Sequence, residues 1–282
     1  MRFFKYHGAG NDFVLIDNRG GEIPEERKPD LARQLCNRRF GIGGDGLILV
    51  ESSSKADVKM RIFNPDGSEP QMCGNGIRCI AKHIYDSGTK KDEISIETLA
   101  GIKDVRVSRE GETTYVRVNM GKPLFERKDI PATGEGRLLE ERLELNGEEV
   151  EICAVNTGVP HAVIFVDDIK KADVTNIGRA VRNNALFPQG TNVNFLEIAG
   201  DNLFKIRTYE RGVEGETLAC GTGITASGVI GVIAREADPG EPIKIVARGG
   251  TVYIEVEMKD TEIETAFMNG PAELIFVGEI DV

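Results

Sequence analysis

Two short segments of this chain place a cysteine directly before a glycine-rich turn, and the two thiols suggest proton-transfer chemistry. Cys73 opens the segment CGNG, and Cys220 opens the segment CGTG. Each segment begins an apolar stretch typical of a helix, so each thiol would face unpaired backbone N–H groups and the positive end of a helix dipole. That environment stabilises a thiolate. The pair predicts a site at which one cysteine donates a proton and the other accepts one.

The alternative for both thiols is burial, because cysteine often serves as a small apolar residue. Cysteine at the same place in two similar segments favours a functional role. The other three cysteines, at positions 36, 79 and 153, are expected to be buried. Cys73 and Cys79 lack the spacing of a redox or zinc motif, and the chain has only three histidines. No metal site is therefore expected.

The two segments belong to a longer pattern of internal similarity. Gly74 and Gly76 have counterparts in Gly221 and Gly223, 147 residues later. Further identities at this offset, or one residue more, keep their order from position 10 to position 123. The order predicts an internal duplication and two similar domains, which the length of 282 residues allows. We expect a first domain over 1–119, a second over 120–266, and a strand over 267–282 that returns to the first.

Strand-like segments dominate both halves, and the pattern predicts an α+β fold. We expect two pseudo-symmetric domains, each a curved β-sheet or barrel around a central helix that begins at its cysteine. Helices are predicted over 29–39, 74–86 and 221–236, the last apolar nearly all round and so enclosed by sheet. Strands are predicted over 2–6, 13–17, 47–51, 58–64, 93–97, 103–107, 114–119, 162–166, 192–198, 203–209, 243–246 and 251–257.

Composition narrows the class of partner. The formal net charge of −11 opposes binding to nucleic acid or to an anionic membrane surface, since both need a basic footprint. The uncharged run over 217–234 contains Thr, Ser and four Gly, which favours a buried helix over a membrane span. The N-terminus shows no signal-peptide pattern, and an odd number of dispersed cysteines fits a reducing cytoplasm.

The sequence GIGGDG over 41–46 matches the G-x-G-x-x-G pattern of dinucleotide-binding proteins. That fingerprint needs a strand before it and a helix after it. Here a predicted helix precedes the glycines and a predicted strand follows them. The segment is therefore interpreted as a tight turn from helix to strand.

An arginine and the starts of two predicted helices could bind the carboxylate groups of an amino-acid substrate. Arg211 holds the place in the second half that Asn64 holds in the first, nine residues before each cysteine. A guanidinium there can hold a carboxylate through two hydrogen bonds, although a surface ion pair with Glu210 is the alternative. Proton removal beside a carboxylate leaves a carbanion, which the backbone N–H groups of residues 74–75 and 221–222 would stabilise. His161, taken alone, has the alternative of a purely structural role.

Five motifs together resemble the diaminopimelate epimerase family over the full length of the chain. They are HGAGNDF over 7–13, FNPDGS over 63–68, CGNG over 73–76, YERG over 209–212 and CGTG over 220–223. The resemblance implies a homodimer that interconverts LL- and meso-diaminopimelate without a metal or pyridoxal phosphate. It implies Cys73 and Cys220 as the acid and base, with His161 and Glu210 supporting them. It implies substrate contacts from Asn11, Asn64, Gly74, Asn75, Asn192, Glu210, Arg211, Gly221 and Thr222.

Two positions depart from the pattern of some members of that family. Gly46 stands where some carry glutamine, and Val159 stands where many carry asparagine. Both changes would remove a polar side chain near the substrate. Three other functions remain open: a proline or hydroxyproline racemase of the same two-thiol type, a non-catalytic amino-acid binding protein, and a thiol–disulfide redox protein.

Overall fold

The computed structural model describes residues 1–89, 91–145 and 147–281. The chain forms two compact units. Unit 1 contains Met1–Asn119 together with the chain from Gly270 onward, and unit 2 contains Met120–Asn269.

The elements that begin in unit 1 alternate strands with two helices. A 3-10 turn over Glu25–Arg27 precedes the first helix, and a π-helical turn over Tyr85–Thr89 follows the second. The elements are β1 (Arg2–Gly8), β2 (Asn11–Asp17), α1 (Lys28–Leu35), β3 (Gly46–Glu51), β4 (Val58–Phe63), α2 (Gly74–Ile84), β5 (Glu93–Thr98), β6 (Gly101–Glu110) and β7 (Thr113–Gly121).

Unit 2 has the same alternation, and its last strand continues into unit 1. The elements are β8 (Glu141–Leu145), β9 (Glu148–Asn156), β10 (Pro160–Phe165), α3 (Val174–Arg182), β11 (Asn192–Gly200), β12 (Leu203–Glu210), β13 (Gly215–Thr217), α4 (Gly221–Ile233), β14 (Ile243–Ala247), β15 (Gly250–Lys259) and β16 (Glu262–Glu279).

Unit 1 is built on a barrel around α2. Strands β1 to β7 are hydrogen-bonded in sequence order, and β16 pairs with both β7 and β1, which closes an eight-stranded ring. The β2–β3 and β4–β5 pairs are parallel. Helix α2 packs against β1 to β4 and β6, and each of its residues is buried. A helix buried on all sides needs apolar or fully hydrogen-bonded side chains, which explains the partners of its polar residues described below.

Unit 2 encloses α4 in the same way. Its strands run in the order β8, β9, β10, β11, β12, β14, β15, β16, with β13 beside β12. Helix α4 packs against β9 to β12, β14 and β15. Its glycines allow this close approach, because a Cβ at Gly228 would lie 2.8 Å from Ile254 Cβ and one at Gly231 would lie 2.6 Å from Phe204 Cε2. The duplicated α+β architecture predicted from the sequence is confirmed.

The predicted helices exist but end earlier than expected. Helix α1 stops at Leu35 because the N–H groups of Gly43 and Gly44 take the carbonyls of Leu35 and Cys36. A Cβ at Gly41 would lie 2.2 Å from the carbonyl oxygen of Gln34, so this loop requires its glycines. The segment follows α1 and leads into β3, which confirms the helix-to-strand turn. Helix α2 ends at Ile84, two residues early.

Helix α4 ends at Ile233. Two residues later, Arg235 has a φ of +62°, and the N–H of Glu236 donates to the carbonyl of Gly231.

Within the described residues, no helix is long and apolar enough to cross a membrane. The prediction also missed α3 and strands β8, β9 and β13 altogether.

Candidate active site

Cys73 is the N-cap residue of α2, as the sequence predicts. Its backbone is extended, with φ −137° and ψ 119°, and its Sγ accepts a hydrogen bond from the N–H of Gly76 at 3.4 Å. The helix itself begins at Gly74. The sulfur thus receives one of the N–H groups that a helix start leaves without a backbone partner.

A chain of three side chains leads from the helix to this sulfur. The guanidinium of Arg78, which is fully buried, donates from Nη2 to Asn75 Oδ1 at 3.0 Å. Asn75 Nδ2 then donates to Asn11 Oδ1 at 3.2 Å, and the same oxygen lies 3.9 Å from Cys73 Sγ. Arg78 also donates to the carbonyl of Pro271 at 3.3 Å. Arg78 was not predicted as a site residue, and its signal in the sequence was a charge in the second turn of a helix that was expected to lie at the centre of its domain.

Asn11 is held from the other side by a charged cluster. Its Nδ2 donates to Asp45 Oδ2 at 2.7 Å, and Arg38 bridges Asp45 and Asp12. Burial alone would raise the pKa of Asp12, but hydrogen bonds from Arg38 and Lys5 outweigh it and lower that pKa to about 2. Asp12 is therefore ionised at neutral pH, and the hydrogen bond to Asp45 keeps Asn11 in one orientation.

Asn64 lies in the turn that directly follows β4. Its side-chain Nδ2 donates to Ser68 Oγ at 2.9 Å, and its carbonyl accepts from the N–H of Gly67. The described hydrogen bonds thus join Asn11, Cys73 and Asn75 and link Asn64 to its own turn.

Cys220 is the N-cap residue of α4 and is 8% exposed. Its Sγ lies 3.4 Å from the Thr222 hydroxyl oxygen. The carbonyl of Thr222 accepts from the Thr157 hydroxyl at 2.9 Å, which attaches the start of α4 to the loop after β9. The sulfur of Cys73 therefore lies near a backbone N–H group and an amide oxygen, and the sulfur of Cys220 lies near a side-chain hydroxyl.

His161 lies on β10, behind Thr222, and is completely buried. Its Nε2 is 2.9 Å from Thr222 Oγ1, and its Nδ1 is 3.1 Å from Asn194 Nδ2. Burial, with a smaller contribution from the charge of Arg211, lowers the pKa of His161 to about 3. The imidazole is therefore neutral at physiological pH, and its role depends on which nitrogen carries the hydrogen.

Asn192 and Arg211 are joined at the ends of neighbouring strands. The N–H of Arg211 donates to Asn192 Oδ1 at 2.8 Å, and Asn192 Nδ2 donates to the Pro160 carbonyl at 3.0 Å. The Arg211 Nη1 donates to the carbonyls of residues 189 and 190, at 3.0 and 3.1 Å. Glu210 is the last residue of β12 and is partly buried.

The remaining cysteines are buried as predicted. Burial raises the pKa of Cys36 and of Cys79 to about 12, so neither thiol is a candidate base. Among the described residues, no group of three or more His, Cys, Asp or Glu side chains is arranged to hold a metal ion.

The two departures from the family pattern have different surroundings. Gly46 is buried at the start of β3, where a Cβ would lie 3.1 Å from the carbonyl oxygen of Phe63 and 3.3 Å from Phe13 Cδ1. A longer side chain there would require its neighbours to shift. Val159 is partly buried in the turn before β10, and its carbonyl accepts from the N–H of Thr157 at 3.3 Å.

Comparison with known proteins identifies both the family and the fold. The family described as Diaminopimelate epimerase matches residues 3–126 and 153–275. Proteins named diaminopimelate epimerase from Methanothrix thermoacetophila and Archaeoglobus fulgidus are 47% and 46% identical to this chain. The matches cover 99% of this chain in both cases, and 96% and 95% of those proteins.

Two solved structures have the same fold at low sequence identity. A Bacillus anthracis phenazine biosynthesis protein of the PhzF family is 17% identical with a TM-score of 0.74, over 100% of this chain and 99% of its own. A probable proline racemase from Agrobacterium radiobacter K84 is 16% identical with a TM-score of 0.72, over 100% and 93%. At such identities the likeness concerns the fold alone, whereas the full-length sequence matches are decisive: this chain belongs to the diaminopimelate epimerase family.

Proposed function

We propose that this protein is an isomerase that interconverts LL- and meso-diaminopimelate by moving the hydrogen on one α-carbon, in the route to lysine and peptidoglycan precursors. The observation that carries the proposal is the cysteine N-cap at the start of a buried helix in each of the two units. Relatives at 47% and 46% identity over nearly the whole chain are named for this reaction.

In the proposed reaction, a thiolate takes the α-hydrogen as a proton, so the C–H bond breaks and an S–H bond forms. The other cysteine gives its proton to the opposite face of the same carbon and becomes the thiolate. Cys73 and Cys220 together hold one proton before and after turnover, because two neighbouring thiolates would repel each other. The mechanism requires the two sulfur atoms to approach one α-carbon from opposite sides.

The carbanion formed between the two steps needs stabilisation, because an amino-acid α-hydrogen is only weakly acidic. The backbone N–H groups of Gly74, Asn75, Gly221 and Thr222 would bind the α-carboxylate and the charge that spreads onto it. Helix starts are preorganised for this task, so the groups do not have to reorient as the charge develops.

The specificity contacts are proposed by family resemblance. Asn11, Asn64 and Asn192 would hydrogen-bond the substrate, and Arg211 and Glu210 would bind its charged groups. His161 and Glu210 would support the thiols. The neutral state of His161 suits this role, since it adds a hydrogen-bond donor and an acceptor without adding a charge.

We also propose a homodimer, located in the cytoplasm, that works without pyridoxal phosphate or a metal and without nucleic-acid or membrane partners. The formal net charge of −11 supports the last point. Four consecutive apolar residues of β16, Leu274 to Val277, are 41–51% exposed, which supports contact with a second copy. Sedimentation velocity of the wild type and of Phe276→Glu tests it: a dimer that becomes a monomer is expected, and a monomeric wild type would contradict the dimer.

The experiment that tests the activity is solvent exchange. The protein is incubated in D2O with LL-diaminopimelate and, separately, with L-proline, and α-deuterium is followed by NMR. We expect deuterium to enter diaminopimelate at one α-carbon as the meso form appears, and proline to stay unlabelled. Labelling of proline alone would assign the protein to the racemases. Binding of diaminopimelate with no exchange would make it a binding protein.

A further inference from the structure

The side chains next to the two sulfur atoms differ in hydrogen-bonding polarity, and this difference bears on which sulfur carries the negative charge. A thiolate can only accept hydrogen bonds, whereas a thiol can also donate one. The direction of each hydrogen bond around Cys73 and Cys220 therefore indicates which protonation state the surrounding groups favour.

Around Cys220, the directions are set by Asn194 on β11. Its Nδ2 lies 3.0 Å from the carbonyl oxygen of Ala162, which can only accept, so the amide orientation is fixed. The Thr208 hydroxyl donates to the other end, Oδ1, at 3.0 Å, in agreement with that orientation. Asn194 is completely buried and part of the strand core. It therefore presents N–H, and not oxygen, to its next neighbour.

That neighbour is Nδ1 of His161, at 3.1 Å from Asn194 Nδ2. Facing a donor, Nδ1 must accept, and the hydrogen of the neutral imidazole must be on Nε2. The Nε2–H then donates to the Thr222 hydroxyl oxygen at 2.9 Å. The buried, neutral state of the ring keeps this assignment over the whole working pH range.

The Thr222 hydroxyl connects the imidazole of His161 to the sulfur of Cys220. Within the described part of the chain, its hydroxyl makes two hydrogen bonds, one to His161 and one to Cys220 Sγ at 3.4 Å. Because the imidazole donates to the hydroxyl oxygen, the hydroxyl hydrogen is directed to Sγ. A protonated Cys220 that donated to Thr222 would compete with that hydrogen. Arg211, directly after β12, is a charged group close enough to His161 to contribute to its lowered pKa.

Around Cys73, the nearby amide has the opposite polarity. Asn11 Nδ2 donates to the Asp45 carboxylate, so Oδ1 is the atom that lies 3.9 Å from Cys73 Sγ. This oxygen can only accept, and a thiol at Cys73 can donate to it while still accepting from the N–H of Gly76. The amide oxygen disfavours a thiolate at the same place.

We propose that, before substrate binds, the shared proton is on Cys73 and the negative charge is on Cys220, and that Asn194 is the positioning residue that sets this state through His161 and Thr222. The inference rests on the proposed function only in that the two cysteines share one proton. Cys220 is then the base for the stereoisomer whose α-hydrogen faces it, and Cys73 is the acid in the same turnover.

The test needs no substrate. Wild-type protein reacts with iodoacetamide from pH 5.5 to 9.5, and the rate at each cysteine is read from its peptide by mass spectrometry. The pH of half-maximal rate reports the thiolate and is insensitive to the access of the reagent. We expect this midpoint to be at least about one pH unit lower for Cys220 than for Cys73. A lower midpoint for Cys73 would overturn the inference.

Variants separate the hydrogen-bond chain from general packing. Thr222→Val removes the hydroxyl and is expected to raise the Cys220 midpoint by about one unit, which is about tenfold slower alkylation at pH 6.5. Thr222→Ser should restore the wild-type midpoint. Thr225→Val is the matched control, because its buried hydroxyl bonds the Gly221 carbonyl in the same helix. It should leave the midpoint unchanged, and an unchanged midpoint in Thr222→Val would contradict the proposal.

Asn194→Asp replaces the amide N–H that faces Nδ1 of His161 with a carboxylate oxygen, and the two side chains have nearly the same shape. Its carboxylate would take a hydrogen from Nδ1 of His161, Nε2 would accept from Thr222, and Cys220 would lose the hydrogen that Thr222 directs to it. We expect the same rise in the Cys220 midpoint as in Thr222→Val, with the melting temperature as a check on folding.

The D2O exchange assay on diaminopimelate is run in parallel. An active epimerase with the lower midpoint at Cys73 overturns this inference alone, and an inactive protein with the lower midpoint at Cys220 overturns the proposed function alone.

Discussion

Gly223 and Asn194 approach each other so closely that no side chain fits between them: a Cβ at Gly223 would lie 2.4 Å from Asn194 Oδ1. The same Cβ would lie 3.3 Å from His161 Cε1. The third residue of the CGTG segment is therefore a glycine for a steric reason. It leaves room for the amide that orients His161.

Gly223→Ala is predicted to displace Asn194 and to impair both stability and turnover. Overpacking of this kind costs about 1–3 kcal/mol of unfolding free energy. We expect kcat/KM to fall by at least about tenfold, measured alongside the melting temperature. The control is Gly76→Ala at the equivalent place in α2, where a Cβ would lie 3.2 Å from the terminal Cδ1 atoms of Ile48 and Ile62 and in ordinary contact, at 3.5 Å, with Cys73 Cβ. Equal losses in the two variants would refute the steric explanation.

Arg78→Met is predicted to destabilise the protein and to weaken substrate binding. The change removes the hydrogen bonds that the guanidinium donates to Asn75 Oδ1 and to the Pro271 carbonyl, and a hydrogen bond from a charged group contributes about 1.5–3 kcal/mol. Chemical denaturation measures the loss. Arg106→Met, which removes an exposed ion pair with Glu93, is the control and should change little. A wild-type midpoint of unfolding in Arg78→Met would show that the buried guanidinium stabilises nothing.

Arg211→Met is predicted to raise the KM for diaminopimelate more than it lowers kcat. A charge-assisted hydrogen bond contributes about 1.5–3 kcal/mol, which corresponds to roughly a 10- to 100-fold rise in KM. Steady-state kinetics separates the two constants. Arg211→Lys, which keeps the charge without the planar geometry, should recover part of the affinity. A normal KM with a low kcat would remove Arg211 from the list of binding residues and place it in the chemical step.

The Asp12 carboxylate is predicted to stabilise the fold only above strongly acidic pH. Burial opposes its ionisation, but Arg38 and Lys5 lower its pKa from 3.8 to about 2. A depressed folded-state pKa adds stability above 3.8, and that stability is lost as the pH falls towards 2. The unfolding free energies of wild type and Asp12→Asn should therefore differ by about 1 kcal/mol more at pH 6 than at pH 2.5, after allowance for solvent screening.

The control for Asp12 is Asp104→Asn, an exposed carboxylate on β6, which should follow the wild type at both pH values. If the Asp12→Asn difference were the same at pH 6 and pH 2.5, the ion pairs with Lys5 and Arg38 would not govern this carboxylate.

Much of the fold was predictable because its signals are local. The start of α2 and of α4 follows from a cysteine N-cap and a glycine before an apolar run, and both positions are confirmed. Helix α3 was missed because its sequence VTNIGRAVR contains β-branched residues and a glycine that disfavour a helix. The missed signal was Asp173, whose side chain caps the helix by accepting from the N–H of Asn176.

The candidate site was predictable only in part. The cysteines, and the residues of the family motifs, stand out in the printed sequence. Arg78 and Asn194 do not, because their roles come from contacts with Asn75 and His161 that depend on tertiary packing. The domain boundaries after 119 and after 266 stay a prediction, since compactness alone does not show that a segment folds independently.

In the proposed mechanism two sulfur atoms exchange protons with one carbon, and α-hydrogen exchange in cysteine variants measures this step. Cys73→Ala, Cys220→Ala and the double variant are each incubated with LL- and with meso-diaminopimelate in D2O, and label and stereochemistry are read by NMR. We predict that each single variant epimerises at least about a thousandfold more slowly than wild type. Epimerisation at the wild-type rate by the double variant would contradict the account.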